Sequence, residues 1–473
     1  MDLLGGNIKK TYFKYLGTSI GGALVISVYS LVDCIMVGHY QGPDGTAALA
    51  IIMPIWTTIL SLGILCGTGG AVLMSKLRGE GEKLEGDMYF TTATIFCAVL
   101  TFIVWMIILI IPEPLLRLFG ANDNILPHAM DYIKYLKYFV PLFTFGQLFS
   151  SFIRNDNAPA KAMIAVVSGG IFNIVGDYLL VFTFDMGIAG AGLATSLGQV
   201  LGFSILISHF FSKKCTLKFV RIKKFFVRAG KILAVGFPTF IIDVAIGVTI
   251  LLFNNQIMKY HGEPALAVYG IIVNVNYFVQ SVAYGVGQSA QPLISINYGA
   301  KQLDRVKQTA KYAWISSAVV GIAFFILTES IPMPLTKLFM KVTPEVELIA
   351  ENIMRLYCIC YILLPINIFS TYYLQAIMKA KASMVISLLR AVVLSSILLF
   401  VLPAIFGKDG LWYVMTVTEA LTFIVMIIIT RHFDKKLVVP QKPTVEQAFD
   451  SLFDGKDENQ DLSIEQKIND NQN

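Results

Sequence analysis

Charge is what this sequence has least of. Of its 473 residues only 14% are Asp, Glu, Lys or Arg, and 56% are hydrophobic. A soluble domain carries about 25% charged residues, so the shortage excludes an ordinary soluble enzyme of two or three domains. Cysteine is sparse and unpatterned: Cys34, Cys66, Cys97, Cys215, Cys358 and Cys360. The last two have one residue between them, which is not metal-ligand spacing, so the thiols are expected to be reduced and packed, with no disulfide framework. HExxH and P-loop patterns are missing. The opening "MDLLGGNIKKTYFKYLG" is polar and basic, and no small-residue cleavage site follows, so no cleavable signal is expected.

What fills the sequence is apolar runs. A helix crossing a bilayer needs about 20 mostly apolar residues, and twelve such spans follow from the pattern, at roughly 13–38, 49–75, 89–111, 132–153, 161–183, 190–211, 233–258, 266–295, 311–331, 353–376, 384–406 and 411–431. The fold class is therefore all-α, a polytopic membrane protein. The 132–153 and 353–376 spans are the weakest, because Lys134, Lys137 and Arg355 enter their first turns. Basic residues crowd the stretch after span six, from Lys213 through Arg228 to Lys231, and the loop after span eight, from Lys301 to Lys311. The loops after spans one and five have no Lys or Arg. By the positive-inside rule both termini are cytoplasmic, and the net charge of +6 reflects membrane topology rather than nucleic-acid binding. Residues 436–473 read as an acidic, disordered tail. Its "FDGKDENQD" lacks the alternating acids and the glycine position of a calcium loop.

The two halves repeat. Adding 220 to a residue number carries Gly42 onto Gly262, Gly67 onto Gly287, Ser75 onto Ser295, Gly79 onto Gly299 and Gly190 onto Gly410. Around "APAKAM" and "AKASM" the offset is 222. Six spans per half is an even number, so both halves enter and leave on one side and are related by an axis along the membrane normal. Transporters of that construction place the substrate between two rocking halves. The expected domains are a first six-helix lobe at 1–212, a basic cytoplasmic linker at 213–232, a second lobe at 233–435 and the tail.

Polar groups inside spans point to function. A carboxylate at a helix centre costs about 2.5–3.5 kcal/mol on insertion scales, yet Asp33 and Asp177 both sit there. Residues four apart share a helix face, which places Tyr29 with Asp33, Asn173 with Asp177, and Thr195 with Gln199. Such oxygen-rich groups suit a shared proton or Na⁺, since two carboxylates brought close cannot both ionise cheaply. The second half lacks the set: Asp33 becomes Phe253, Asn173 becomes Ser395, Asp177 becomes Leu399 and Thr195 becomes Met415. It has instead Asp243, Arg390 and Glu419, the last two expected to pair with each other or with backbone. Asp243 is a candidate second titrating group. Asn274, Gln288 and Gln291 are candidate substrate contacts, as are Tyr29 and Gln199.

The ordered set "YSLVDCIMVG", "RGEGEKLEG", "FIRNDNAPAKAM", "FNIVGDYLLVF" and "GIAGAGLAT" resembles the bacterial branch of the multidrug and toxic compound extrusion (MATE) family over roughly residues 10 to 435. The resemblance implies twelve helices in two six-helix lobes around an outward cleft, and export of cationic amphipathic drugs and dyes driven by entry of H⁺ or Na⁺. It implies a cation site at Asp33, Asn173, Asp177 and Thr195, a plasma-membrane location, and a monomer with no cofactor beyond the coupling ion. Many relatives carry a proline in the outer half of the first helix; "LGTSIGGALVISVYS" has Gly17, Gly21 and Gly22 instead. Two rivals stand beside this reading. A lipid-linked-sugar flippase of the same superfamily would need a basic cavity, whereas spans one and two have no interior Lys or Arg. An intramembrane aspartyl protease would show GxGD and YD motifs, of which only Gly176 matches.

Overall fold

The computed structural model describes residues 3–339 and 342–436. Eleven of its helices are long and apolar enough to cross a membrane. In chain order the elements are α1 (Ile8–Gly42), α2 (Asp44–Gly79), α3 (Lys83–Ile110), the short α4 (Pro112–Leu118), α5 (Leu126–Leu136), α6 (Val140–Asn155), α7 (Pro159–Thr183), α8 (Gly187–Ile207), α9 (Phe225–Tyr260), α10 (Glu263–Gly299), α11 (Leu303–Ser330), the short α12 (Pro332–Phe339), α13 (Pro344–Ala376), α14 (Ala380–Phe406) and α15 (Lys408–Phe433). The twelfth crossing is the stacked pair α5 and α6. The expected single span at 132–153 is thus broken, and the cause is local. Pro141 lies in the first turn of α6 and has no N–H to donate, so the chain tightens through Tyr138 and Phe139, which bond back three residues. The charged tail lies, from residue 437, outside the described residues.

The first two spans are longer than their hydropathy indicates. The polar stretch 39–48, expected as a loop, is helical except at Gly42, with φ 68° and ψ −148°. Only glycine occupies that region without strain. Its repeat-mate Gly262 breaks the chain in the same way, at φ 77° and ψ −170°. The correspondence extends along the chain. Positive φ recurs at Gly81 and Lys301, at Asn157 and Met378, and at Gly187 and Gly407. The boundaries of α3 and α11 are offset by 220 at both ends, and each has 28 residues. On α3 the exposed stripe Ile95, Val99, Phe102 matches Ile315, Val319, Ile322 on α11, at the spacing of one helix face turned to lipid. Basic linker residues run only as far as Lys224 before α9 begins at Phe225.

The two halves meet through backbone. A methyl on Gly79 would overlap the carbonyl of Ile296, and one on Gly299 would overlap the carbonyl of Lys76. Lys76 and Ile296 are themselves repeat-mates, so the contact is reciprocal. Gly69 lies against the Ile232 carbonyl and Gly236 against that of Leu65. Nearby the Tyr12 and Tyr312 rings stack at 6.0 Å, and Asn297 and Arg305 both donate to the Leu3 carbonyl, each at 3.1 Å. These contacts all lie at the end where the basic linker runs.

A charge cluster stiffens the same end of the first half. Asp156, in the turn after α6, accepts from Arg78 at 2.9 Å, from His209 at 2.8 Å, from the Thr216 amide at 3.0 Å and from the Thr216 hydroxyl. Arg78 also pairs with Asp87 at 2.8 Å. Burial alone would raise the Asp156 carboxyl, but the bonds from His209 and Thr216 and the Arg78 charge outweigh it and hold it below the usual carboxylate range. Although Asp156, His209 and Cys215 group their ligand atoms within 4.8 Å, four donors already fill the carboxylate, and one is a guanidinium. The arrangement fits an ion-pair clamp on the linker.

Candidate functional site

The acidic pair is brought together by small residues. Gly169 on α7 and Gly198 on α8 each face the other's carbonyl: a Cβ would lie 2.8 Å and 2.6 Å from it. The two helices therefore cross at nearly backbone contact, which puts Asn173 beside Thr195. Asn173 Nδ2 donates to Thr195 Oγ1 at 3.1 Å and, more weakly, to Asp177 Oδ1 at 3.4 Å. On the other side of α8, Gly192 packs on the Tyr132 backbone, which seats α5 against the site. Gly170 lets Tyr29 lie flat on α7, where a Cβ would come within 2.9 Å of its ring.

Tyr132 then links Asp33 to Thr195. Its hydroxyl donates to Asp33 Oδ2 at 3.1 Å and also reaches the Thr195 hydroxyl. Asp33 is close enough for its charge to be felt at Asp177. Asn173, Asp177 and Thr195 are buried, with Asp177 at 0% exposure. Three oxygens in this small volume, Asp33 Oδ1, Asn173 Oδ1 and Asp177 Oδ2, are buried without a hydrogen-bond partner. Buried polar atoms are nearly always paired, so three together mark a place for something the protein chain does not provide.

The remaining candidates lie elsewhere. Gln199 gives its amide to the Leu142 carbonyl at 3.0 Å and pins α8 to α6. Asn274 is exposed and bonds its own helix at the Gly270 carbonyl, 2.8 Å away. Gln291 pairs with Gln375 at 3.2 Å inside the second half. Gln288 meets Arg154 across the two halves. Tyr132 and Arg154 were not singled out from sequence. Tyr132 sits in the span weakened by lysines, and its phenol becomes meaningful only once α5 is placed against α8.

In the second half the pairing of Arg390 with Glu419 is observed, at 2.7 Å, with both side chains buried. Asn367 Nδ2 completes the Glu419 carboxylate at 2.7 Å and also reaches its backbone carbonyl at 2.8 Å. The Asp243 side chain lies outside the described residues.

Two six-helix halves, joined by a basic segment and enclosing unsatisfied carboxylates, define a membrane transporter rather than an enzyme. The MatE family model matches residues 19–179 and 238–401, and the chain belongs to that family, the MATE transporters. The multidrug export protein MepA of Staphylococcus saprophyticus is 24% identical over 90% of this chain and 94% of its own length. MepA of Staphylococcus aureus is 23% identical over the same shares. An outward-facing multidrug resistance MATE family transporter of the MOP superfamily superposes with a TM-score of 0.86 at 20% identity, over 92% of this chain and 98% of the other. A MOP superfamily transporter from Pyrococcus furiosus gives 0.84 at 20% identity over the same shares. At that identity the likeness speaks for the fold.

Proposed function

We propose that the chain exports cationic amphipathic compounds across the plasma membrane in exchange for H⁺ or Na⁺, with both termini in the cytoplasm. The observation that carries this reading is the group of three unpartnered oxygens on Asp33, Asn173 and Asp177. Those atoms suit a proton or a hard monovalent cation: oxygen ligands only, no thiol or imidazole, and two carboxylates to supply charge. With the acids charged, the first half attracts a cationic drug. A coupling ion arriving from outside neutralises them, the attraction fades, and the drug leaves. The halves then close outside and open inside, and the ion is released.

Several features support this cycle. The contacts between halves gather at the end bearing the basic linker, which the positive-inside rule places in the cytoplasm, and this supports reading the state as open outward. The relatives named multidrug export proteins match over nearly their whole length. One elementary charge crossing 100 mV is worth about 2.3 kcal/mol, ample for uphill export. The test is ethidium efflux from proteoliposomes under an imposed pH gradient and then an imposed sodium gradient, with wild type and Asp177→Asn. Efflux that ignores both gradients, or that survives the substitution undiminished, sinks the coupling scheme.

A further inference from the structure

Between α9, α10, α13, α14 and α15 the second half holds a partly open cavity of about 50 Å³. Its lining includes Thr249, Ser395 and Met415. By the repeat these stand where the first half has Tyr29, Asn173 and Thr195. The cavity is therefore the counterpart of the acidic site. Among the described residues its lining holds no carboxylate and one guanidinium, that of Arg390. Arg390 spends Nε on Glu419. Glu419 takes its other oxygen's bond from Asn367, so it is satisfied without the remaining edge of the guanidinium fork, which presents further N–H donors. Across the cavity Asn276 has a buried Oδ1 with no partner. An amide turned end for end offers NH₂ at the same point, and Gln280 lies one turn along the same wall.

We infer that this cavity receives the carboxylate of an amphoteric substrate, with Arg390 and Asn276 as its donors. Size limits the guest to one small polar group. A water needs about 10–15 Å³ by this measure, so the cavity holds a carboxylate and a water or two but not the body of a drug. Position fits as well. α9 and α10 both touch the first half, through Gly236 with Leu65 and Gly285 with Ile20. A substrate between the halves reaches the cavity from that side with its polar end while its cationic end faces Asp33. The inference rests on the export reading for the route by which substrate arrives.

The test uses two rhodamines that differ in one bond: rhodamine 110, with a free carboxylate, and rhodamine 123, its methyl ester. Their dissociation constants are measured by fluorescence polarisation on the full-length protein in nanodiscs. Two variants are compared with wild type. Arg390→Met with Glu419→Leu removes both charges together, because removing one partner would strand the other in the interior. Asn276→Asp leaves the ion pair intact and adds a competing negative charge. Each is expected to weaken rhodamine 110 relative to rhodamine 123 by about tenfold, or roughly 1.4 kcal/mol. A change in that ratio below threefold in both variants overturns the inference. Ethidium has no carboxylate and separates the two readings: if wild type does not extrude it, export is wrong, while the acid-to-ester ratio still decides the role of this cavity.

Discussion

The two halves share a backbone and differ in charge. Breaks at Gly42 and Gly262, turns at Gly81 and Lys301, and the lipid-facing stripes on α3 and α11 recur at a constant offset. Yet the first half holds two acids with buried oxygens to spare, and among the described residues the second buries an arginine and a glutamate that neutralise one another. Duplication preserved the features that backbone geometry and packing require. The halves diverged at interior positions where a side chain can change without disturbing the helix path. Function is thus expected to be lopsided and mechanics symmetrical.

The largest effect expected is on the lopsided part. Asp177→Asn should reduce gradient-driven ethidium efflux at least tenfold, while Leu399→Met at the matching position should change it less than twofold. Equal losses at both sites would mean that the halves do the same work. Next in size is the test of symmetry. Gly79→Leu and Gly299→Leu each push a side chain into the partner's carbonyl, so each should hinder the outward-facing state. Both are expected to cut efflux by similar factors and to increase labelling of a cysteine placed on the cytoplasmic side of the cleft. An effect at one site alone would break the reciprocity.

Glu419→Gln leaves Arg390 without a charged partner in the interior. Breaking a buried pair typically costs about 3–5 kcal/mol, to be read as a lowered midpoint in thermal denaturation of the detergent-solubilised protein. No comparable fall is expected for Asp33→Asn, whose carboxylate has an unsatisfied oxygen already. Tyr132→Phe removes the hydroxyl's bonds to Asp33 and Thr195, worth about 1 kcal/mol each, and should lower coupled efflux severalfold without abolishing it.

The smallest effect concerns the Asp156 clamp, which the second half replaces with Ile377. Because the folded carboxyl lies below its unfolded value, the unfolded chain binds the proton more readily. The clamp's stabilisation is complete above about pH 4, near the unfolded carboxylate value, and fades as pH falls through the lower folded value. Asp156→Asn should lower the thermal midpoint by a few degrees at neutral pH, and the gap from wild type should close in acid.

Much of this arrangement was legible in the residues alone. Apolar runs located the spans because lipid leaves a helix no other partner for its backbone, and four-residue spacing paired Asn173 with Asp177. The failures have a common cause. The helical stretch at 39–48 and the break before Pro141 depend on how a polar or proline-bearing segment resolves its backbone bonds, which hydropathy does not register. Tyr132 was hidden because Lys134 on its helix and Lys137 just after it mask a buried face. The roles of Gly169, Gly192 and Gly198 depend on which helices cross, and a glycine carries no sign of what it touches.

The reciprocal seam at Gly79 and Gly299 has a consequence for how the pump listens to its surroundings. The contacting atoms are carbonyls and Cα hydrogens, which neither titrate nor carry a full charge, and the Lys76–Glu80 ion pair lies beside them rather than across the contact. Ionic strength and acidity on the cytoplasmic side therefore have little grip on it, and the command to part must come from elsewhere in the molecule, from whatever occupies the cleft.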